Sequence, residues 1–359
     1  MKTLHIIDHF NIGGAQTIIK SIFDAQKDNK DIYCYSLRAL LKTNKKVSHP
    51  NFFSCKSHSK FSLSTFFELK KIIKENNISV LHCHLRKGFL FGWLMKKLFF
   101  KNIKLIMHEH SCILGKSKLY KYFLKLIRKD ADLFIAVSES VKKALIEKAN
   151  IRPEKIVVLP NFADLSKFNF DNVDQANVAK IKSELALKGG ELIIGFIGRL
   201  TPQKNCQALI RAIPLLNIDN FKVLIIGSGQ MRRELTDLIT SLNLTDKVIF
   251  LGHRGDIVDL LSIMDVCVLP SKWEGSPMIF YEAAAMGVPV VGSNVDGINE
   301  FIAHGKNGLL FEYNNLNDLT ANITKLSTDK NLRGSIKLNL KNDLTKHSLK
   351  NYLKKLKQI

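Results

Sequence analysis

Two glutamates, Glu274 and Glu282, flank the run Gly275-Ser276-Pro277, whose residue types turn a loop into a helix. Ser276 suits a helix N-cap, Pro277 the first helical position and Gly287 the closing position, so the spacing predicts a short helix over about 277–286. Ser276, Pro277, Met278 and Ile279 then form a first turn whose free backbone N–H groups and positive dipole end can seat a phosphate. Glu274 would meet a bound sugar and Glu282 a ribose. Taken alone, the pair reads equally as two ordinary helix-flank carboxylates. A second constellation lies upstream, where the apolar run 192–197 enters Gly198-Arg199-Leu200-Thr201-Pro202-Gln203-Lys204-Asn205. Arg199 and Lys204 sit at a strand-to-helix turn and can neutralise a diphosphate, arginine through bidentate hydrogen bonds and lysine as a point charge.

The elements that must position these groups follow from hydrophobic periodicity. Short apolar runs near 3–8, 31–36, 78–83, 103–108, 132–137 and 156–159, then 192–197, 221–226, 247–251, 265–269 and 288–292, alternate with amphipathic helical stretches. That alternation predicts α/β architecture with parallel, doubly wound sheets. A chain of 359 residues, 46% hydrophobic, suffices for two such domains, placed at 1–163 and 164–335, with a basic helix over 336–359. The polar stretch 162–190, ending in Gly189-Gly190, reads as a connection. Gly13-Gly14 follows the first strand and permits a tight turn. Gly227-Ser228-Gly229 follows the strand 221–226, but Arg232 stands where a dinucleotide fingerprint needs its third glycine, which disfavours a nicotinamide enzyme while leaving a tight turn beside a nucleotide.

The ordered motifs Gly198-Arg199 with Lys204, Glu274 with Glu282, Gly287-Val288-Pro289-Val290-Val291 and Gly297-Ile298-Asn299-Glu300 resemble the retaining family 4 glycosyltransferases, closely over about residues 190–312. The segments at Gly13-Gly14, Val80–His84, Leu105–His110, Ala136–Ser140 and Val158–Asn161 match the family's first domain in order. The resemblance implies the GT-B architecture, two Rossmann-like domains facing across a cleft. It also implies transfer of a hexosyl unit, with retention, from a nucleoside diphosphate sugar to a saccharide or lipid-linked acceptor in bacterial polysaccharide or glycoconjugate synthesis, with no metal or other cofactor. Carried over residue by residue, the catalytic set is Glu274, His110, Arg199 and Lys204. The donor-binding set is Gly14, Arg199, Lys204, Gly229, Ser276, Pro277, Met278, Ile279 and Glu282. His110, with His108 as a second alignment, lines the reaction centre. The family's usual Glu-Gly-Phe-Gly becomes Glu274-Gly275-Ser276-Pro277 here. An epimerase or phosphorylase on the same fold, and a non-catalytic basic scaffold, are the competing readings.

Charge points to a further partner. The net charge of +22 is uneven: +18 over 1–163, −3 over 164–332 and +7 over 333–359. Lys118, Lys121, Lys125 and Arg128 recur opposite Leu119, Phe123 and Leu126, the pattern of an interfacial helix on anionic lipid, here the inner face of the cytoplasmic membrane. No nucleic-acid-binding motif accompanies the basic residues. His82 with His84 and His108 with His110 alternate on strand faces, so zinc ligation competes with a plain polar lining. Six scattered cysteines without a Cys-x2-Cys pair predict a reduced, cytosolic compartment, and no export signal or membrane-spanning run is evident.

Overall fold

The computed structural model describes residues 1–10, 13–39, 47, 49–55, 63–112 and 117–359. The chain divides into two compact units, Met1–Asn161 with Leu353–Ile359, and Phe162–Tyr352. In the first, β1 (Thr3–Ile7), α1 (Gly14–Ala25), β2 (Ile32–Ser36) and β3 (Phe52–Ser54) are followed by α2 (Leu63–Glu75), β4 (Val80–His84), α3 (Leu85–Leu98) and β5 (Lys104–Glu109). Then come α4 (Lys118–Ile127), β6 (Leu133–Ala136), α5 (Glu139–Ala149) and β7 (Ile156–Val158). The strands form one parallel sheet in the order β3-β2-β1-β4-β5-β6-β7. Strands covered by helices on both faces read as continuous apolar runs, as Leu133–Ala136 does. Strand order reverses beside β1, where ligands of such sheets bind.

Strand register decides which side chains of this sheet meet. His5 pairs with His82, Ile7 with His84, and His84 with His108. Register partners share a face, and so do residues two apart on a strand, so His5, His82, His84 and His108 lie on one face of the sheet.

The second unit runs α6 (Gln175–Glu184), β8 (Leu192–Ile197), α7 (Cys206–Ala212), β9 (Phe221–Ile226), α8 (Arg232–Ser241), β10 (Val248–Gly252) and α9 (Ile257–Ser262). It continues with β11 (Val266–Leu269), α10 (Met278–Ala285), β12 (Val290–Ser293), β13 (Leu309–Phe311), α11 (Leu316–Thr328) and α12 (Lys330–Leu344). Its parallel sheet has the order β10-β9-β8-β11-β12-β13, and its reversal between β8 and β11 marks the second ligand-binding crevice.

Three expectations change. The stretch 162–190 is not a bare connection: Phe162, Ala163, Phe168, Val178, Ile181 and Leu185 are buried, and Asp174 caps α6 by accepting from Ala176 and Asn177 N–H at 3.0 and 3.1 Å. The basic tail is not one helix. It holds the end of α12 and then α13 (Leu349–Gln358), whose residues from Leu353 onward count with the first unit. There the Lys104 ammonium donates to the Ile359 backbone oxygen. Two three-residue strands, β3 and β13, were unforeseen.

Candidate active site

Two loops at the strand ends of the second unit are bound to each other through backbone. Gly198 N–H donates to Ile226 O at 2.9 Å, Leu200 N–H to Ser228 O at 2.9 Å, and Met231 N–H to Leu200 O at 3.1 Å. A Cβ on Gly227 would lie 1.8 Å from Gly198 O, and one on Gly229 would lie 2.2 Å from Leu200 O. Gly227 also holds φ at +138°, so glycine is required there on both counts. Arg199, next in the turn, is exposed and has no ion-pair partner among the described residues.

The same turn delivers Lys204, whose ammonium donates to Glu274 Oε1 at 2.6 Å; the Ser271 hydroxyl donates to that oxygen at 2.7 Å. Both side chains are largely buried, so the pair is preorganised, and Glu274 Oε2 accepts no hydrogen bond among the described residues. Gly297 supports the loop: at φ +79° it brings its backbone so close that a Cβ would sit 2.1 Å from Glu274 O. Glu282, half-buried on α10, has no cation at ion-pairing distance among the described residues. Burial pushes its carboxyl up to about 7, against the pull of Lys167. Burial likewise pushes the Cys267 thiol up to about 12, with Glu282 adding to the rise and Lys204 opposing it, so both charges act on one buried group within β11. Lys204 and Glu274 are thus paired, and Glu282 shares with Lys204 an electrostatic influence on Cys267.

The start of α10 differs from expectation. Its helical residues begin at Met278, Pro277 occupies the cap position, and no side chain caps it; the Ser276 hydroxyl instead pairs with the Tyr281 hydroxyl at 3.0 Å. Because Tyr281 is fully buried, the Ser276 hydroxyl gives that phenol a hydrogen-bond partner. The first-turn N–H groups of Met278 and Ile279 have no acceptor within the helix and can meet an anion. The far end follows expectation: Gly287 at φ +61° donates to Ala284 O at 3.0 Å and Val288 to Ala283 O at 2.8 Å, a Schellman closure.

A cavity of about 420 Å³ is lined by Gly227, Ser228, Gly229, Arg232, Phe250, Leu251 and Gly252. The Arg232 guanidinium lies 3.6 Å from the Phe250 ring centroid. This stacked plane beside a glycine loop suits a flat heteroaromatic ring. Sequence reasoning noted Arg232 only as a missing glycine and missed Phe250 altogether; their proximity depends on β9 pairing with β10.

Gly14 and His110 belong to the first unit. Gly13 caps α1 with an extended φ of 169°, so the tight-turn argument fails for it, and Gly14 is simply the first helical residue. Asn11 and Ile12 lie outside the described residues. His110 follows β5 and belongs to a set of five imidazoles, of which His5 was not anticipated. His5 Nδ1 lies 3.0 Å from His84 Nε2, His84 Nδ1 lies 2.8 Å from His110 Nε2, and His82 Nε2 lies 3.2 Å from His108 Nδ1. Burial drives His5 down to about 4 and His110 to about 3; it also holds His82, His84 and His108 well below the usual histidine range, helped by their neighbours. Burial thus favours the neutral form of all five rings.

Helix α4 corrects the amphipathic reading. Its buried face is Tyr120, Leu124 and Ile127, and Phe123 packs against the core. Leu119, Tyr122 and Leu126 remain 78%, 68% and 51% exposed, on the solvent side with Lys118 and Lys125 rather than opposite them. Lys121 is half-buried. Arg128 is committed elsewhere, donating to Asn150 O at 3.2 Å and Ala149 O at 3.5 Å, where it supplies positive charge to the C-terminus of α5.

Comparison with known proteins bears on this geometry. The chain matches the model of Glycosyltransferase Family 4 over residues 12–167 and that of Glycosyl transferases group 1 over residues 177–343. It is 28% identical over 281 residues to an Escherichia coli UDP-Gal:alpha-D-GlcNAc-diphosphoundecaprenol alpha-1,3-galactosyltransferase, covering 75% of this chain and 71% of that protein. It is 30% identical over 313 residues to an uncharacterized glycosyltransferase of Methanocaldococcus jannaschii, covering 83% and 78%. Among solved structures, Anabaena HepE in complex with UDP and glucose superposes with a TM-score of 0.88 at 21% identity, over 100% of this chain and 98% of that one, and shares its fold.

Proposed function

Because the chain belongs to the family 4, group 1 glycosyltransferases and has their GT-B fold, we propose that it moves a hexosyl unit, with retention, from a nucleoside diphosphate sugar to a lipid-linked saccharide. The observation that carries this reading is the largely buried Lys204–Glu274 pair in the turns after β8 and β11, with the unpaired Glu282 on the α10 that follows. Lys204 and the exposed Arg199 meet the diphosphate, where negative charge develops as the glycosidic bond breaks. The open amides at Met278 and Ile279 add hydrogen-bond donors. Glu274 Oε2 takes a hydroxyl of the donor sugar while Oε1 stays fixed by Lys204 and Ser271. Glu282 accepts from the ribose, and the Arg232–Phe250 surface receives the base. A uridine donor is supported by the neighbour solved with UDP and glucose, and a diphosphoundecaprenol-linked acceptor by the Escherichia coli relative. In this reading two cations, Lys204 held by Glu274 and the exposed Arg199, serve the leaving group in place of a metal. The test is to supply candidate nucleoside diphosphate sugars with and without diphospholipid-linked saccharides. Nucleoside diphosphate release only when both are present, with the product anomeric centre configured as in the donor, supports the reading. Release without acceptor, or an epimerised sugar nucleotide, removes it.

We further propose attachment to the surface of an anionic membrane through α4. The exposed apolar stripe Leu119-Tyr122-Leu126, flanked by Lys118 and Lys125, supports it, as apolar side chains enter the headgroup region while lysines meet phosphate. Among the described residues no helix is long and apolar enough to cross a membrane.

A further inference from the structure

The five histidines of the first unit form two parallel rows. In one, His5, His84 and His110 are linked end to end at 3.0 and 2.8 Å; in the other, His82 and His108 are linked at 3.2 Å. The rows lie face to face, His82 within 4.6 and 4.5 Å of the His5 and His84 rings and His108 within 4.1 Å of His110. Three nitrogens in each of two trios, His5-His82-His84 and His84-His108-His110, lie within 4.8 Å of one another, so a metal site is the first alternative. The orientation disfavours it. The linked rings His84 and His110 have centroids 5.1 Å apart and planes 27° apart, with nitrogens 2.8 Å apart between them. Lone pairs aimed along that line face each other, whereas ligands of one zinc converge on it from about 2.0–2.1 Å each, with their nitrogens splayed wider. The rows are hydrogen-bonded wires.

A neutral imidazole has one N–H and one lone pair, so each row has a single direction of donation at a time. Two buried ring nitrogens of these rows have no partner among the described residues, His110 Nδ1 and His108 Nε2, one at the β5 end of each row. The nitrogens at the other ends, His5 Nε2 and His82 Nδ1, are not stranded in this way. A stranded buried N–H is rarer than an under-used acceptor. The direction that avoids it runs from His110 Nε2–H to His84 Nδ1, and from His84 Nε2–H to His5 Nδ1.

We propose that His84, backed by His5, is a positioning residue that holds His110 in the Nε2–H tautomer, so that His110 presents Nδ1 as an acceptor for a hydroxyl of the bound saccharide. This rests on the glycosyltransferase reading for its ligand but not for its tautomer. The test begins with the full chain labelled with nitrogen-15 at histidine, His110 being identified by the signal lost in His110→Asn. Wild type is expected to show a neutral His110 with bare Nδ1. Titration with donor or with acceptor saccharide separately shows which of the two shifts that nitrogen. In His84→Phe, which keeps a stacking ring but breaks the row, both tautomers become populated. There kcat/KM falls about tenfold, the worth of one neutral hydrogen bond, while affinity for the sugar-free nucleoside diphosphate is unchanged. His84→Asn, whose amide oxygen reaches the position of Nδ1, restores the tautomer and most of the rate. An Nδ1–H or doubly protonated His110 in wild type overturns the proposal, as does an unaltered tautomer in a folded His84→Phe. So does one equivalent of zinc or cobalt(II) moving the His84, His108 and His110 signals. If no sugar nucleotide is turned over, the functional reading fails, and the wild-type spectrum still decides the tautomer.

Discussion

At the scale of single residues, the site is governed by what each charge already touches. Lys204 is held by Glu274, so its ammonium is placed before a diphosphate arrives and little reorganisation remains at the moment of reaction. Lys204→Ala should raise the transfer barrier by about 2–4 kcal/mol with the fold intact; turnover within severalfold of wild type would exclude that role. Glu282 supplies a second prediction. Its folded pKa, about 7, lies above the ordinary 4.5, so the native state keeps the proton longer than the unfolded chain does. Stability is therefore lost as pH rises from about 4.5 to about 7, and Glu282→Gln should become the more stable protein above neutrality by on the order of 1 kcal/mol. Thermal unfolding of the two proteins across that range decides it, and parallel curves refute it. Donor affinity of wild type should rise over the same range, since the ionised form accepts from both ribose hydroxyls. The acids and cations of this site were legible because their residue types and spacing announce charge. The roles of Ser271, Arg232, Phe250 and His5 were not, because each depends on a neighbour brought near by strand pairing.

At the scale of elements, backbone contact between the Gly198–Leu200 and Gly227–Gly229 loops fixes the strand-end crevice. Gly227→Ala must move one loop by ångströms, since the obstacle is a carbonyl rather than a flexible side chain. We expect a loss of about 1–3 kcal/mol in stability and a larger loss in donor affinity, read by denaturant unfolding and by titration with nucleoside diphosphate. An alanine variant with unchanged affinity refutes the crevice assignment. Eleven strands were legible as apolar runs, the three-residue β7 among them because Ile156-Val157-Val158 is β-branched throughout; Phe52–Ser54 and Leu309–Phe311, equally short and without a β-branched residue, become strands by pairing with the edges at β2 and β12. The outward stripe of α4 was misread for a different reason. Helical spacing gives two faces, and only packing decides that Tyr120, Leu124 and Ile127 occupy the inner one.

At the scale of the whole molecule, charge is segregated between the first unit with the tail and the second unit. Lipid attraction near an anionic surface is worth roughly 1 kcal/mol per basic residue and is screened over about 8–10 Å at physiological salt. Reversal of Lys118, Lys121 and Lys125 to Glu should release the protein from anionic vesicles at low salt while affinity for a soluble donor stays the same. Sedimentation of the triple variant with those vesicles, or equal binding of wild type to neutral ones, would reassign the basic face. The path of the chain also constrains biosynthesis. It leaves the first unit at Asn161 and returns to it only at Leu353, where Lys104 reaches the Ile359 backbone oxygen. The first unit can therefore be completed only after the whole of Phe162–Tyr352 has been synthesised between its two parts. Until Leu353–Ile359 has been made, the first unit lacks both the Lys104 contact and that part of its surface, so its packing waits on a segment far downstream in the chain.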